Sequence, residues 1–265
     1  MVDAGSAVVS GDYGPFEGAA SDRIVFGTYR ETGTWSPLLV DLLVDHLFAG
    51  GDGTLLDVGA NIGLVTIPVV ERSRVHAIAF EPEPVNHEFL RKNVARHGLG
   101  ERVETRALAL ATEPGQVALA VCEHNSGDHR LALGAPPAGT RLVTVEAVAL
   151  DQVLEGRSLT GPVVMKLDTQ GAEVRVLLGA ERTLQHVDYL VIEYWPAGLL
   201  RMGNSAEQLQ TLLRGFAFGA FLNQQMLPDQ LVPSSALLKA LSWIATDGSD
   251  EGFVDLLFAK RPIAF

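Results

Sequence analysis

Four carboxylates stand where apolar runs stop. Asp57 follows Leu55-Leu56, Glu81 follows Val75-His76-Ala77-Ile78-Ala79-Phe80, Asp168 follows Val163 to Leu167, and Glu193 follows Tyr189-Leu190-Val191-Ile192. If these runs are parallel strands, the acids share the carboxyl edge at which open α/β sheets bind ligands. One acid at a strand end is unremarkable, because strand ends meet water. Four on one rim describe a pocket for a positively charged partner. Between the first two acids lies Val58-Gly59-Ala60-Asn61-Ile62-Gly63, where a buried strand must turn sharply into a helix. Glycine allows the positive φ and close backbone approach of such a turn, and the helix start beyond it offers unpaired N–H groups to a carboxylate or hydroxyl.

This pattern suits a nucleoside better than a dinucleotide. An acid at the end of the second strand, here Glu81, accepts hydrogen bonds from ribose hydroxyls. A nicotinamide dinucleotide requires G-x-G-x-x-G for access to its pyrophosphate, whereas Asn61 fills the middle position and Asp57 puts negative charge near the phosphates. A cationic nucleoside avoids both problems, and Asp57 then faces its amine. S-adenosyl-L-methionine, with its sulfonium and amino groups, is such a ligand. Asp57, Gly59, Asn61, Gly63 and Glu81 are the expected cofactor site, and a nicotinamide-dependent oxidoreductase or a non-catalytic nucleoside-binding module are the competing readings.

The most polar loop in the chain is Glu123-His124-Asn125-Ser126-Gly127-Asp128-His129-Arg130. A neutral imidazole, with an unperturbed pKa of about 6.5, accepts a proton at physiological pH. His129, between Asp128 and Arg130, is the preferred base, ahead of His124; Asp168 and Glu193 on the rim are the other catalytic candidates. Asp168 has a structural alternative, capping the helix that follows Gly171. Asn125, Arg130 and Tyr194 are expected to touch the substrate. No tight metal-ligand spacing is visible, so no metal is assigned.

The elements that must position these residues follow from pattern. Met1 to Ser21 is rich in Gly, Ala and Ser and is expected to fray. Ser36 as N-cap and Pro37 at the first helical position start a helix carrying Leu38, Leu39, Leu42, Leu43 and Leu47. Residues 1–50 are read as an N-terminal segment and lid, and residues 51–265 as the catalytic domain. Pro68 shortens or kinks the helix after Gly63. Pro84 opens the next helix and Gly98 closes it. Two valine-rich strands, Gly115 to Val121 and Arg141 to Val148, flank the polar loop. Ser205 and Gln208 stand in capping-box register, and strands near Phe216 to Leu222 and Phe253 to Lys260 form an antiparallel pair at the sheet edge.

Composition bounds the function. With 265 residues and 47% hydrophobic content, the chain buries a substantial core. Its 20 basic and 32 acidic residues give a formal net charge of −12, which argues against a nucleic-acid substrate. No apolar run is long enough to span a bilayer. The single cysteine, Cys122, permits no internal disulfide and fits a reducing compartment, the cytoplasm.

Asp57-Val58-Gly59-Ala60-Asn61-Ile62-Gly63, Phe80-Glu81-Pro82, Leu150-Asp151, Lys166-Leu167-Asp168-Thr169-Gln170-Gly171-Ala172-Glu173 and Val176-Leu177-Leu178-Gly179-Ala180 occur in this order. The series resembles that of FkbM-type methyltransferases, over about Trp35 to Ala259. The resemblance implies an α/β, class I methyltransferase (Rossmann-like) fold: a seven-stranded, mostly parallel sheet of order 3-2-1-4-5-7-6, helices on both faces, and a small β insertion near the substrate. It further implies S-adenosyl-L-methionine as cofactor and O-methylation of a small hydroxylated metabolite, a polyketide, sugar or other natural product. By that mechanism a substrate oxygen attacks the sulfonium methyl in line. Orientation of the two reactants supplies up to about 7–11 kcal/mol in favourable systems.

Overall fold

A computed structural model describes residues 5–133, 139–222, 225–241, 252–263 and 265. In chain order the elements are β1 (Ser6–Gly11), β2 (Gly14–Ala19), α1 (Val25–Thr32), α2 (Pro37–Asp41, continued by a π-helical turn Leu42–Leu47), β3 (Thr54–Val58), α3 (Thr66–Arg72), β4 (His76–Phe80), α4 (Pro84–Arg96) and β5 (Val103–Arg106). There follow β6 (Ala109–Leu110), β7 (Gly115–Cys122), β8 (Arg130–Leu131), β9 (Thr140–Val148), α5 (Leu150–Val153), β10 (Val163–Leu167), α6 (Glu173–Leu178), α7 (Glu181–Leu184) and β11 (Tyr189–Tyr194). The chain closes with α8 (Pro196–Arg201), α9 (Ala206–Leu212), β12 (Phe218–Leu222), β13 (Val232–Pro233), α10 (Ser234–Leu241) and β14 (Val254–Ala259).

The main sheet runs β13-β12-β14-β11-β10-β3-β4-β5. The strands from β11 to β5 are parallel, and β14 is antiparallel to both β11 and β12. With the two-residue β13 set aside, the order from β5 to β12 is the expected 3-2-1-4-5-7-6; β13 makes the sheet eight-stranded rather than seven-stranded. The late antiparallel strands sit at that edge as expected, except that β14 is enclosed between β11 and β12. Strand residues alternate between two cores, as the two-residue period of a strand requires. Leu55, Ala77, Val164 and Val191 pack with α1, α3 and α4 on one face, while Leu56, Ile78, Met165 and Ile192 pack with α6 and α10 on the other. A second sheet, β6-β9-β7-β8, is the expected insertion around the polar loop.

Residues 1–50 differ from expectation. Met1 to Ala4 lie outside the described residues, but Ser6 to Ala19 form an antiparallel hairpin rather than a frayed segment. Tertiary contacts outweigh the weak local propensity. Phe16 is fully buried and meets the ring of Tyr29 edge-on at 5.2 Å, and Asn93 on α4 both accepts from Glu17 N and donates to Glu17 O. Phe16, Val25, Phe26 and Tyr29 join the same core as Leu55 and Val164, so the packing does not break at residue 50. Ser36 makes no side-chain cap; it adopts a left-handed conformation ahead of Pro37. The helix containing Pro68 is short, and the Ser205–Gln208 capping box forms. Glu83, immediately before Pro84, caps α4 by accepting from Val85 N and Asn86 N.

Candidate active site

A cavity of about 640 Å³ lies over the carboxyl ends of β3, β4, β10 and β11, within the usual range of about 300–1,000 Å³ for small-molecule sites. Gly59, Asn61 and Glu81 line it. The turn below them has positive φ at Gly59 (83°), Asn61 (52°) and Gly63 (94°). A Cβ on Gly59 would stand 1.9 Å from the carbonyl oxygen of Asp168, so only glycine lets this turn pass the end of β10. Gly63 is outside the lining; a Cβ there would crowd Leu90 and Ile67, so its part is to let α3 and α4 close on the turn.

Asp57 is also outside the lining, which corrects its expected contact with a cofactor amine. Its carboxylate is fully buried. One oxygen accepts from Thr66 Oγ1 at 2.5 Å, and the other is 3.4 Å from Lys166 Nζ, its partner in strand register. Lys166 also donates to Gly59 O at 2.8 Å and lies 3.7 Å from Asp168 Oδ2. Burial opposes its charge, but Asp57 and Asp168 outweigh burial and hold the proton more tightly than in free lysine. Lys166 therefore ties the glycine turn to the rim of β10. Sequence reasoning did not assign it a role, although a lysine inside Val163-Val164-Met165-Lys166-Leu167 is itself a signal, because an unpaired buried cation is costly.

Glu81 follows β4 and lines the cavity. Its two oxygens accept from Asn61 N and Glu83 N, each at 2.9 Å. Burial pushes its pKa up to about 7 against the pull of those N–H groups. Each carboxylate oxygen can accept a further bond, so Glu81 suits a ribose diol, and the Gly59–Asn61 turn suits the amino-acid end of the same ligand. These residues fit S-adenosyl-L-methionine.

The wall opposite is acidic. Gln170, at φ 55°, donates from Nε2 to Asp168 Oδ1 at 2.9 Å and to Glu193 Oε2 at 3.0 Å. Burial, then the charges of Asp168, Glu173 and Asp255, hold Glu193 well above the usual carboxylate range. Asp255, opposite Glu193 on β14, is pushed up to about 6 by burial and by Asp168. Asp168 does not cap the following helix. Glu173 clasps that turn instead, accepting from Thr169 N, Thr169 Oγ1 and Gly171 N. Tyr194 is a correction: it is buried in the opposite core, and its neighbours Glu193 and Trp195 line the cavity instead, because side chains alternate along β11.

The polar loop reaches the cavity through Asn125, Asp128, His129 and Arg130. Asn125 shapes it by accepting from Gly127 N. Ser126 pins it, donating to Asp22 Oδ2 at 2.6 Å while its carbonyl accepts from Asn61 Nδ2 at 2.9 Å. Asp22 in turn receives the N–H groups of Ile24, Val25 and Phe26. His124 is exposed and absent from the lining, and its backbone carbonyl accepts from Arg23 N. His129 Nδ1 accepts from Cys122 N at 3.2 Å. A backbone amide is always a donor, so in the neutral ring the proton is on Nε2, and burial lowers its affinity for a second one. His129 is thus built to donate, which removes the geometric basis for preferring it as base.

Strand order, glycine turn and rim acid define a Rossmann-like domain of class I methyltransferase architecture. A family model described as the FkbM methyltransferase domain matches residues 57–216. The chain belongs to the FkbM methyltransferase family, and its cofactor is S-adenosyl-L-methionine. It is 26% identical over 160 residues to hexuronic acid methyltransferase AglP of Haloferax volcanii, a match covering 58% of this chain and 60% of that protein, so it spans less than two thirds of that relative. It is 27% identical to 31-O-demethyl-FK506 methyltransferase FkbM of Streptomyces tacrolimicus, over 65% of this chain and 75% of that one. Among solved structures, TrmK of M. capricolum with S-adenosyl-homocysteine aligns at a TM-score of 0.43 and 10% identity, over 87% of this chain and 69% of that one. The nicotinamide alternative falls with the family membership.

Proposed function

We propose that the protein transfers the methyl group of S-adenosyl-L-methionine to a hydroxyl of a small metabolite, with Glu193 as the base. The observation that carries this is the Gln170 amide spanning Asp168 and Glu193 on the cavity wall. Bound cofactor supplies an electrophilic methyl, which leaves S-adenosylhomocysteine when transferred to oxygen. Glu193 takes the hydroxyl proton as the oxygen attacks. A carboxylate whose pKa is raised by burial and neighbouring charge is a stronger base than an ordinary one and is better matched to neutral pH. Asp168 and Gln170 hold it in place, and Lys166 lies 3.7 Å from Asp168 Oδ2 beside it. The names of the two relatives, for a hexuronic acid and for a demethylated natural product, support an oxygenated small molecule as acceptor. The formal charge of −12 supports an acceptor other than nucleic acid, and the single cysteine supports a cytoplasmic location. Among the described residues no helix is long and apolar enough to cross a membrane.

The test is formation of S-adenosylhomocysteine, followed by mass spectrometry, over a panel of hydroxylated acceptors. S-adenosyl-L-methionine should raise the melting temperature and NAD should not. Glu193→Gln should lower turnover about 10²- to 10⁴-fold with cofactor affinity retained, and the acidic limb of the wild-type pH–rate profile should disappear. Turnover by Glu193→Gln at the wild-type rate overturns the assignment of the base. Cofactor binding without turnover on any acceptor favours the non-catalytic module.

A further inference from the structure

The acidic wall has a cationic counterpart. Trp195, the first residue beyond β11, carries the guanidinium carbon of Arg130 at 5.3 Å from its ring centroid and that of Arg201 at 4.9 Å. Arg130 belongs to the β insertion and lines the cavity together with Trp195. Its Nη2 donates to Asp128 Oδ2 at 2.8 Å, while its Nε is buried and meets no hydrogen-bond acceptor among the described residues. Arg201 ends α8. Its proton is loosened first by burial and then by the charge of Arg130, with Asp128 opposing. Two guanidiniums thus lie over one indole, Arg130 in the cavity lining and Arg201 beside it, with Asp128 accepting from Arg130 and its charge also felt by Arg201. Stacked arginines are weakly hydrated forks that match carboxylate or phosphate oxygens, and gathering like charge at a cleft is favourable once an anion enters it.

We propose that this corner binds an anionic group of the methyl acceptor, a carboxylate or a phosphate ester, held by Arg130 and Arg201 at the edge of Trp195. The inference rests on the methyltransferase reading above and names the substrate class for that site. It also explains how the acceptor is oriented. An anion is repelled by Asp168, Glu193 and Asp255 and drawn to the arginines, so the charged end of the acceptor and its reacting hydroxyl are sorted to opposite sides of the cavity.

The experiment is calorimetric titration of the full chain, saturated with S-adenosylhomocysteine, with D-glucuronate, D-glucose 6-phosphate and D-glucose. At least one anionic sugar should bind ten times or more tighter than glucose, and the better of the two identifies the anion as carboxylate or phosphate. Arg130→Gln and Arg201→Gln should each reduce that preference about tenfold while leaving the affinity for S-adenosylhomocysteine unchanged. Arg130→Lys, which keeps the charge and loses the fork, should fall between. Equal or undetectable binding of the anionic sugars, or an anion preference that survives both glutamine variants, overturns the proposal and leaves the methyltransferase reading intact. Failure of S-adenosylhomocysteine itself to bind overturns the underlying reading.

Discussion

The two halves of the cavity, the one proposed for the cofactor and the one proposed for the acceptor, are held by different means. The first is locked by main chain and strand register: Gly59 against the Asp168 carbonyl, Lys166 beside Asp57, and Glu81 between two backbone N–H groups. The second is assembled from side chains of segments far apart in sequence, as in the chain Asp22–Ser126–Asn61 and the stack Arg130–Trp195–Arg201. A backbone-locked site keeps its geometry whatever the surface sequence does. A side-chain-assembled one can change its ligand with a few substitutions, which suits a family whose cofactor is common and whose acceptors differ.

The comparison breaks most visibly at Lys166. Lys166→Met leaves the fully buried Asp57 carboxylate without its cation and should cost about 3–5 kcal/mol in urea denaturation; adding Asp57→Asn should recover much of that loss. A cost under about 1 kcal/mol would mean the cofactor half is not locked by this pair. Glu81→Ala should come next. It removes a charged acceptor of ribose hydroxyls, worth about 1.5–3 kcal/mol, so calorimetry should show cofactor affinity about ten- to a hundredfold weaker. Because Glu81 is pushed up to about 7, wild-type affinity should strengthen between pH 6 and pH 8, and the variant should lose that dependence.

The acidic wall sharpens the contrast through pH. Glu81 and Glu173 are raised from 4.5 to about 7 and Asp255 from 3.8 to about 6. Between the unfolded and folded values the native protein binds more protons than the unfolded chain, so its stability falls as pH rises through that window. Melting temperature should therefore decline from about pH 5 toward pH 7, and Glu173→Gln should flatten the slope. A profile that rises over this range would refute the burial of these groups as acids. The smallest effect belongs to the acceptor half. Ser126→Ala removes the hydroxyl that donates to Asp22, at about 1 kcal/mol, but keeps the backbone carbonyl that accepts from Asn61, and should raise the KM of the acceptor more than it weakens cofactor binding.

Much of this was legible before any coordinates. The glycine turn and the placement of Glu81, Asp168 and Glu193 at strand ends follow from local pattern, because apolar runs, glycines and strand-end acids are constrained by backbone chemistry within a few residues; the order of the strands came from the resemblance to FkbM-type methyltransferases. Asp57 and Tyr194 were misassigned because sequence shows where a strand ends but not which face each end residue takes. His129 was overvalued for the same kind of reason: its neighbours in sequence suggest a base, whereas Cys122, across the loop, decides its tautomer.

The sequence by itself determined the strands, the glycine turn and the rim acids, since each is written in short-range periodicity and residue type, while the strand order and the cofactor rested on the resemblance of its ordered motifs to FkbM-type methyltransferases. Only the tertiary structure decided that the glycine-rich N-terminus is a packed hairpin, that Lys166 pairs with Asp57 beneath the turn, that Gln170 bridges two acids, and that Arg130 and Arg201 each lie over the Trp195 ring. These are contacts between segments tens of residues apart. Their energies depend on burial and on a partner's position, neither of which a local pattern encodes.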